Sequence, residues 1–360
     1  MDFERPQPIR PCKARGQSAA RIGCGMTIAA EPENRPTLKT IALETGLAVA
    51  TVSRALKDAP DIGEATKARV RDAAKRLGYR PNRAGVRLRT GKTNVIALVL
   101  STEADVMNHT SRLISSLAQG LRGTSYHLVM MPFFPDENPL TPIRYLVETG
   151  SADGVILNQT TADDPRVQYL HAHGVPFATH GRTETGIDHA YFDYDNMAFA
   201  QIGVRALAAR GRKRLLLVAP PRAHCYAVHM IAGFTSGAAQ RGLHCEVMAD
   251  VTSDSGAAAI EAAITRRMGT GPVPDGIICG STTAAMAAVV GAEMVGLRIG
   301  QDFDLVAKEA IAFLKRFRPE MIVLHEDVDR AGAHLAQAII AAIEQPGVPV
   351  AQALDRPQEL

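Results

Sequence analysis

The chain has 360 residues, 46% of them hydrophobic, which at one domain per roughly 100 to 200 residues gives two or three units. No apolar run approaches the roughly eighteen residues of a spanning helix, and residues 1–34 lack the apolar core of an export signal, so membrane and secreted classes are excluded and the protein is expected in the cytoplasm. The net charge of +3 hides an asymmetry: residues 35–93 carry 14 Lys+Arg against 5 Asp+Glu, and residues 94–360 carry 21 against 28, which confines any polyanion-binding surface to one end.

Residues 1–34 read as a disordered extension, and Met26, nine residues before the basic segment, is a second candidate start. Three short amphipathic helices follow. Leu38, Ile41, Ala42 and Thr45 share one face of the first, with Thr37 as N-cap and Gly46 as its stop. After the tight turn Gly46-Leu47-Ala48, a second helix is predicted from Val49 to Lys57, with Val52, Ala55 and Leu56 inward and Ala50, Ser53, Arg54 and Lys57 outward. A third, from Glu64 to Leu77, buries Val70, Ala73, Ala74 and Leu77 and ends at Gly78. This is the spacing of a helix-turn-helix module, whose second helix presents its outer row to a DNA major groove. The basic tail from Tyr79 to Lys92 then offers Asn82 as a cap for a short helix through Leu88, flanked by Arg83, Arg87 and Arg89. Such a helix is too short to persist alone and would form only against a partner.

Three motifs here, Ala50-Thr51-Val52-Ser53-Arg54, Leu77-Gly78-Tyr79-Arg80-Pro81-Asn82 and Leu88-Arg89-Thr90-Gly91, resemble signatures of the lactose-repressor (LacI/GalR) family of bacterial transcription regulators, in order and spacing. Two positions depart from the family pattern: Ala48 and Gly63 stand where hydroxyl caps are usual. The resemblance implies a DNA-contact set of Thr37, Val49, Ala50, Thr51, Ser53, Arg54, Asn82, Arg83, Arg87, Leu88 and Arg89. Within it, Arg54 can pair with guanine, Val49 and Ala50 offer apolar surface to thymine methyls, and Thr51 and Ser53 hold phosphates. It also implies that Leu88 wedges into the minor groove.

From Asn94 onward, short apolar runs alternate with Ala-rich helical patterns: residues 95–100, 127–131, 154–158, 176–180, 214–220, 276–280 and 321–325 read as strands of parallel sheets covered on both faces. The scheme occurs twice, as in two similar α/β lobes, whose ligands bind beyond the carboxyl ends of the strands. The resemblance extends to about Gln345 and implies a periplasmic-binding-protein-like effector domain with two lobes joined by crossing strands. The domain plan is therefore 1–34 extension, 35–80 DNA-binding headpiece, 81–93 hinge helix and linker, 94–345 effector and dimerisation domain, and 346–360 tail. His180 and Arg182 follow a strand end, and His224, Tyr226, Met230, Thr282 and Glu309 fall on the family's pocket positions, so these seven are the effector candidates. Met230 stands where the family usually carries an effector-gripping Arg. Arg182 suits a carboxylate or phosphate, which predicts a small polar, anionic ligand such as a sugar acid or sugar phosphate, unless Arg182 pairs with Glu184 or Asp193.

Catalytic and metal chemistry find no support in spacing. His171 and His173 face different ways on a helix, His224 and His229 flank a strand-to-helix turn, the five cysteines contain no C-x-x-C pair, and no nucleophile elbow or phosphate loop is present. No cofactor, metal site or enzymatic activity is expected. The reading is a homodimeric repressor on a palindromic operator of roughly 14 to 20 base pairs, controlled by a small effector. The rival is a solute-binding or enzymatic α/β protein, against which the headpiece and missing export signal speak.

Overall fold

The computed structural model describes residues 36–79, 87, 91–102, 107–134, 136–310 and 313–357. Contacts divide the chain into two compact units between Asn82 and Arg83.

In the first unit, helix α1 (Leu38–Thr45) starts at a capping box: Thr40 N–H donates to the Thr37 hydroxyl oxygen at 3.3 Å, and Thr37 N–H to that of Thr40 at 3.0 Å. It ends at Gly46, whose φ of 65° is left-handed and costs little without a Cβ. Helices α2 (Val49–Ala55) and α3 (Glu64–Arg76) begin at Ala48 and Gly63, and neither start carries a side-chain cap. Helix α2 stops two residues earlier than its period suggested, with Leu56 as its cap. Ile41, Val52, Ala55, Val70 and Ala73 are fully buried, and Leu38, Leu47, Leu56, Ile62, Leu77 and Tyr79 close round them. The apolar spacing of each helix thus meets in one small core.

The second unit holds two sheets whose strands pair in parallel throughout. The first contains β1 (Val95–Ser101), β2 (His127–Phe133), β3 (Gly154–Leu157), β4 (Phe177–His180), β5 (Ala190–Tyr194) and β11 (Gln352–Asp355), in the order β11-β5-β4-β3-β1-β2. The second contains β6 (Arg214–Val218), β7 (His244–Val247), β8 (Gly276–Cys279), β9 (Asp304–Glu309) and β10 (Ile322–His325), in the order β10-β9-β8-β6-β7. Helices α4 (Met107–Gly120), α5 (Leu140–Thr149), α6 (Pro165–Ala172) and α12 (Val328–Glu344) cover the first sheet. Helices α7 (Asn196–Ala209), α8 (Cys225–Ala239), α9 (Ala257–Met268) and α10 (Thr282–Glu293) cover the second, and a short α11 (Leu314–Phe317) precedes β10. Both central strands β3 and β8 are buried along their whole length, so their apolar runs are continuous, not alternating.

The chain leaves the first lobe at Asp195, between β5 and α7, and returns at Glu326 and Asp327, between β10 and α12. Every strand read from sequence is present. Strands β5, β7, β9 and β11 were not foreseen, because Asp193, Glu246, Lys308 and Asp355 interrupt their apolar pattern. The last of these corrects the reading of 346–360 as a plain tail. Strand β11 pairs with β5, and Asp355 accepts from Arg330 at 2.5 Å. Helices α7 and α8 pack closely because Gly233 faces the Met197 backbone, where a Cβ would collide.

Candidate functional sites

The first site is the outer row of α2. Val49 is 41% exposed, Ala50 and Arg54 are exposed, and Thr51 and Ser53 are half-buried. A single turn and a half of helix therefore brings together apolar methyls, two hydroxyls and a guanidinium of the kind that read a major groove. Arg54 does not hang free: it is ion-paired with Asp61. Thr37 is spent on the α1 cap. Arg87 lies in the second unit, donating to the Thr149 carbonyl oxygen at 2.6 Å, where it neutralises the negative end of α5. Asn82, Arg83, Leu88 and Arg89 lie outside the described residues.

The second site is a cavity of about 140 Å³, open at its mouth, between the carboxyl ends of the two sheets. Strand β3 delivers Asn158 and Gln159, β4 delivers His180, β5 delivers Tyr194, β6 Pro220, β8 Gly280 to Thr282, β9 Lys308 and β10 Glu326. Gln159 takes a left-handed φ of 53° and is buried, on a loop held by the buried Arg166–Asp164 pair at 2.6 Å, from which Arg166 also donates to the Gln159 carbonyl at 3.0 Å. His109 enters from α4, and Tyr226 and Phe313 add aromatic faces.

The central charges of this cavity, Lys308 and Glu326, satisfy each other, while Asp254 at the wall accepts from the Ser253 hydroxyl at 2.7 Å. Lys308 Nζ lies 2.7 Å from Glu326 Oε2, 3.2 Å from Asn196 Oδ1 and 4.7 Å above the Tyr194 ring. Burial opposes ionisation of Glu326, but Lys308 and then His109 outweigh it and hold the carboxyl well below its ordinary value. His180 is driven the other way: burial, then His109 and Lys308, push it down to about 3, so its imidazole is neutral. Burial, reinforced by Glu326, raises the Tyr194 phenol, which stays protonated. Three neutral polar atoms on the cavity wall are buried without a hydrogen-bond partner in the protein: Gln159 Nε2, His180 Nε2 and the Tyr194 hydroxyl.

Of the seven effector candidates, His180, Tyr226 and Thr282 line the cavity. His224 stacks on Tyr226 with ring centroids 5.1 Å apart, at the N-cap of α8, and His229 is inside that helix and does not flank it. Met230 is fully buried in the core with Tyr194, Phe199 and Phe234, too deep to meet a ligand. Glu309 is turned away: its Oε1 accepts from Phe313 and Leu314 N–H, both at 2.7 Å, at the start of α11. Arg182 is committed to Asp193 at 2.6 Å and leaves only Gly181 beside it in the lining. Asn158, Gln159, Tyr194, Lys308 and Glu326 escaped the sequence reading, although each sits in or just after a strand. Applying the strand-end rule to every strand and not to β4 alone would have found Asn158, Gln159 and Glu326.

The comparisons with known proteins agree with this architecture. Residues 37–82 match the bacterial regulatory proteins of the lacI family, and residues 95–348 match the periplasmic binding proteins and sugar binding domain of the LacI family. The chain belongs to the LacI family. It is 31% identical over 322 residues to the HTH-type transcriptional regulator AglR of Rhizobium meliloti (strain 1021), covering 86% of this chain and 88% of that one. It is 35% identical over 209 residues to RafR of Escherichia coli, covering 58% and 62%. Among solved structures, the lac repressor dimer bound to operator and the anti-inducer ONPF superposes with a TM-score of 0.79 at 18% identity, covering 90% of this chain and 97% of that one. The transcriptional regulator CelR in complex with cellobiose gives 0.64 at 24% identity, covering 91% and 98%. This LacI-family chain is a DNA-binding transcription regulator with an effector domain. Among the described residues no helix is long and apolar enough to cross a membrane.

Proposed function

We propose that the chain is a cytoplasmic homodimeric repressor, without catalytic activity, whose α2 reads each half of a palindromic operator through Arg54, Val49 and Ala50. In this reading a small neutral, polyhydroxylated ligand occupies the cavity. The observation that carries the ligand class is the wall itself: Gln159 Nε2, His180 Nε2 and the Tyr194 hydroxyl are buried and unpartnered, while Lys308 and Arg182 already hold Glu326 and Asp193. Unpaired neutral donors and acceptors suit hydroxyls, since a ligand hydroxyl repairs groups that otherwise cost about 1 to 3 kcal/mol each. An anion would need an uncommitted cation, and the Arg182 on which the sugar-acid expectation rested is occupied by Asp193. The sugar-binding description of the matched domain and the cellobiose carried by CelR support the same class. An exposed apolar stripe along α10 and its C-cap, Met286, Val290 and Met294 at i, i+4 and i+8, supports self-association. Ligand closing the cleft would change the angle between lobes and thereby the spacing of the two headpieces in a dimer.

A thermal-shift screen of neutral disaccharides, sugar acids and sugar phosphates tests the ligand class. A neutral disaccharide should raise the melting temperature and alter occupancy of an operator duplex. A sugar acid or phosphate that does so while every neutral sugar fails would overturn it.

A further inference from the structure

His109, His180 and Glu326 come from α4, the end of β4 and the crossing after β10, and their ligating atoms all lie within 4.8 Å of one another. We propose that these three side chains form a binding site for a divalent transition-metal ion of the zinc class at the back of the effector cavity. Two imidazoles and one carboxylate are a donor set suited to Zn²⁺, Co²⁺ or Ni²⁺ and poorly suited to Mg²⁺ or Ca²⁺, which require several oxygens.

The decisive geometry is at His180. Its Nδ1 lies 3.2 Å from the Asn158 side-chain oxygen, which can only accept, so the ring proton belongs on Nδ1. That leaves Nε2 as a bare lone pair, and this atom is buried without any hydrogen-bond partner in the protein. A ring oriented through one nitrogen while the other presents a lone pair to a carboxylate and a second imidazole is the arrangement that supports metal ligation, with Asn158 as the orienting partner. His109 Nε2 stands 3.2 Å from Glu326 Oε1, where a metal ion would replace the shared proton. Lys308 holds the opposite oxygen, Oε2, and is further engaged by Asn196 and Tyr194, so the carboxylate can serve both cations. Repulsion from this ammonium should make the site weaker than structural zinc sites.

All three ligands face the cavity, so the ion keeps an open side for water or a ligand hydroxyl. It would also tie His109 and His180 of the first lobe to the segment that carries the chain back from the second. The ion would take His180 Nε2 from a ligand hydroxyl and leave Gln159 Nε2 and the Tyr194 hydroxyl to the organic ligand, so the site stands whether or not that ligand is a sugar.

Full-length, untagged protein stripped with a chelator is titrated with ZnCl₂ by calorimetry and with CoCl₂ by absorbance. One equivalent should bind, with no binding of Mg²⁺ at the same concentrations. His109→Gln and His180→Ala should each weaken it by 100-fold or more, and Asn158→Ala by about 10- to 100-fold. Operator binding and circular dichroism of the metal-free variants report their folding. His109→Gln, at a half-buried helix position, keeps the test decisive if His180→Ala unfolds. A second cluster, Glu184, Cys225 and His229, controls for location. Cobalt on His109, His180 and Glu326 has no thiolate-to-metal charge-transfer band. Such a band lost in Cys225→Ser, unchanged zinc affinity in His109→Gln, or no binding at 100 times the protein concentration would each overturn the proposal.

Discussion

The two sites of this molecule are built in opposite ways. The proposed reading surface of the headpiece comes from one six-residue stretch of one helix, Val49 to Arg54, whereas the cavity draws on residues from His109 to Glu326 that meet only where seven strands end. On α2 the side chains that touch the core and those that face outward are separated by helical period alone, so local spacing assigns both. In the cavity the same residue type does different work according to its strand. Glu309 at the end of β9 caps the start of α11, while Glu326 just beyond β10 enters the cavity wall. A helical surface can be edited residue by residue, but a cleft depends on every pair that positions its loops.

The largest expected effect breaks this contrast from the cleft side. Asp164→Ala leaves the 3% exposed Arg166 charged and unpaired beneath Gln159, and removing one partner of a buried pair typically costs about 3 to 5 kcal/mol. Calorimetry should show the body melting earlier while operator affinity below that transition stays near wild type. The same pair sets a pH dependence. Burial raises the Asp164 carboxyl, but the Arg166 hydrogen bonds and charge outweigh it and lower it below its ordinary value. A carboxyl depressed in the folded state stabilises fully above its unfolded value near 4 and loses that contribution as pH falls through the folded one. Wild type should therefore lose stability relative to Asp164→Ala below about pH 4, and parallel curves would break the assignment.

A smaller effect sharpens the headpiece side. Arg54→Ala removes the one bidentate donor of α2, and discrimination between operator and scrambled duplex should fall by about 1 to 3 kcal/mol. The melting profile of the body should not move. Equal loss on both duplexes would mean that Arg54 serves phosphates. Asp61 holds Arg54 in the structure, so Asp61→Asn is a useful companion, freeing the guanidinium.

The smallest effect is a gain. Ala48 adopts the extended conformation of an N-cap, with φ of −63° and ψ of 145°, but offers no oxygen. Ala48→Ser should stabilise the headpiece by about 1 kcal/mol, read as a higher melting temperature of the first transition. An unchanged transition would show that the N–H groups of α2 are already satisfied by solvent.

Sequence by itself determined the headpiece almost completely. Thr37 and Gly46 bound α1, Val52 and Ala55 point inward, and the missing caps at Ala48 and Gly63 were legible, because each depends on neighbours within a turn or two. It also determined that the rest is two parallel α/β lobes, since strands buried on both faces must be continuously apolar. Strands carrying charges escaped, β9 with Lys308 and β11 with Asp355 among them. Only the tertiary structure decided the partners of the charged groups. Arg182 could have faced a ligand or an acid, and its place beside Asp193, eleven residues on, is settled by the pairing of β4 with β5. Met230 sits in the core because α8 packs against α7, and no pattern within α8 distinguishes that face from the one lining the cleft. His109, His180 and Glu326 lie far apart along the chain, and their approach rests on two crossings between lobes and the order of strands in two sheets, which are long-range choices that no local periodicity records.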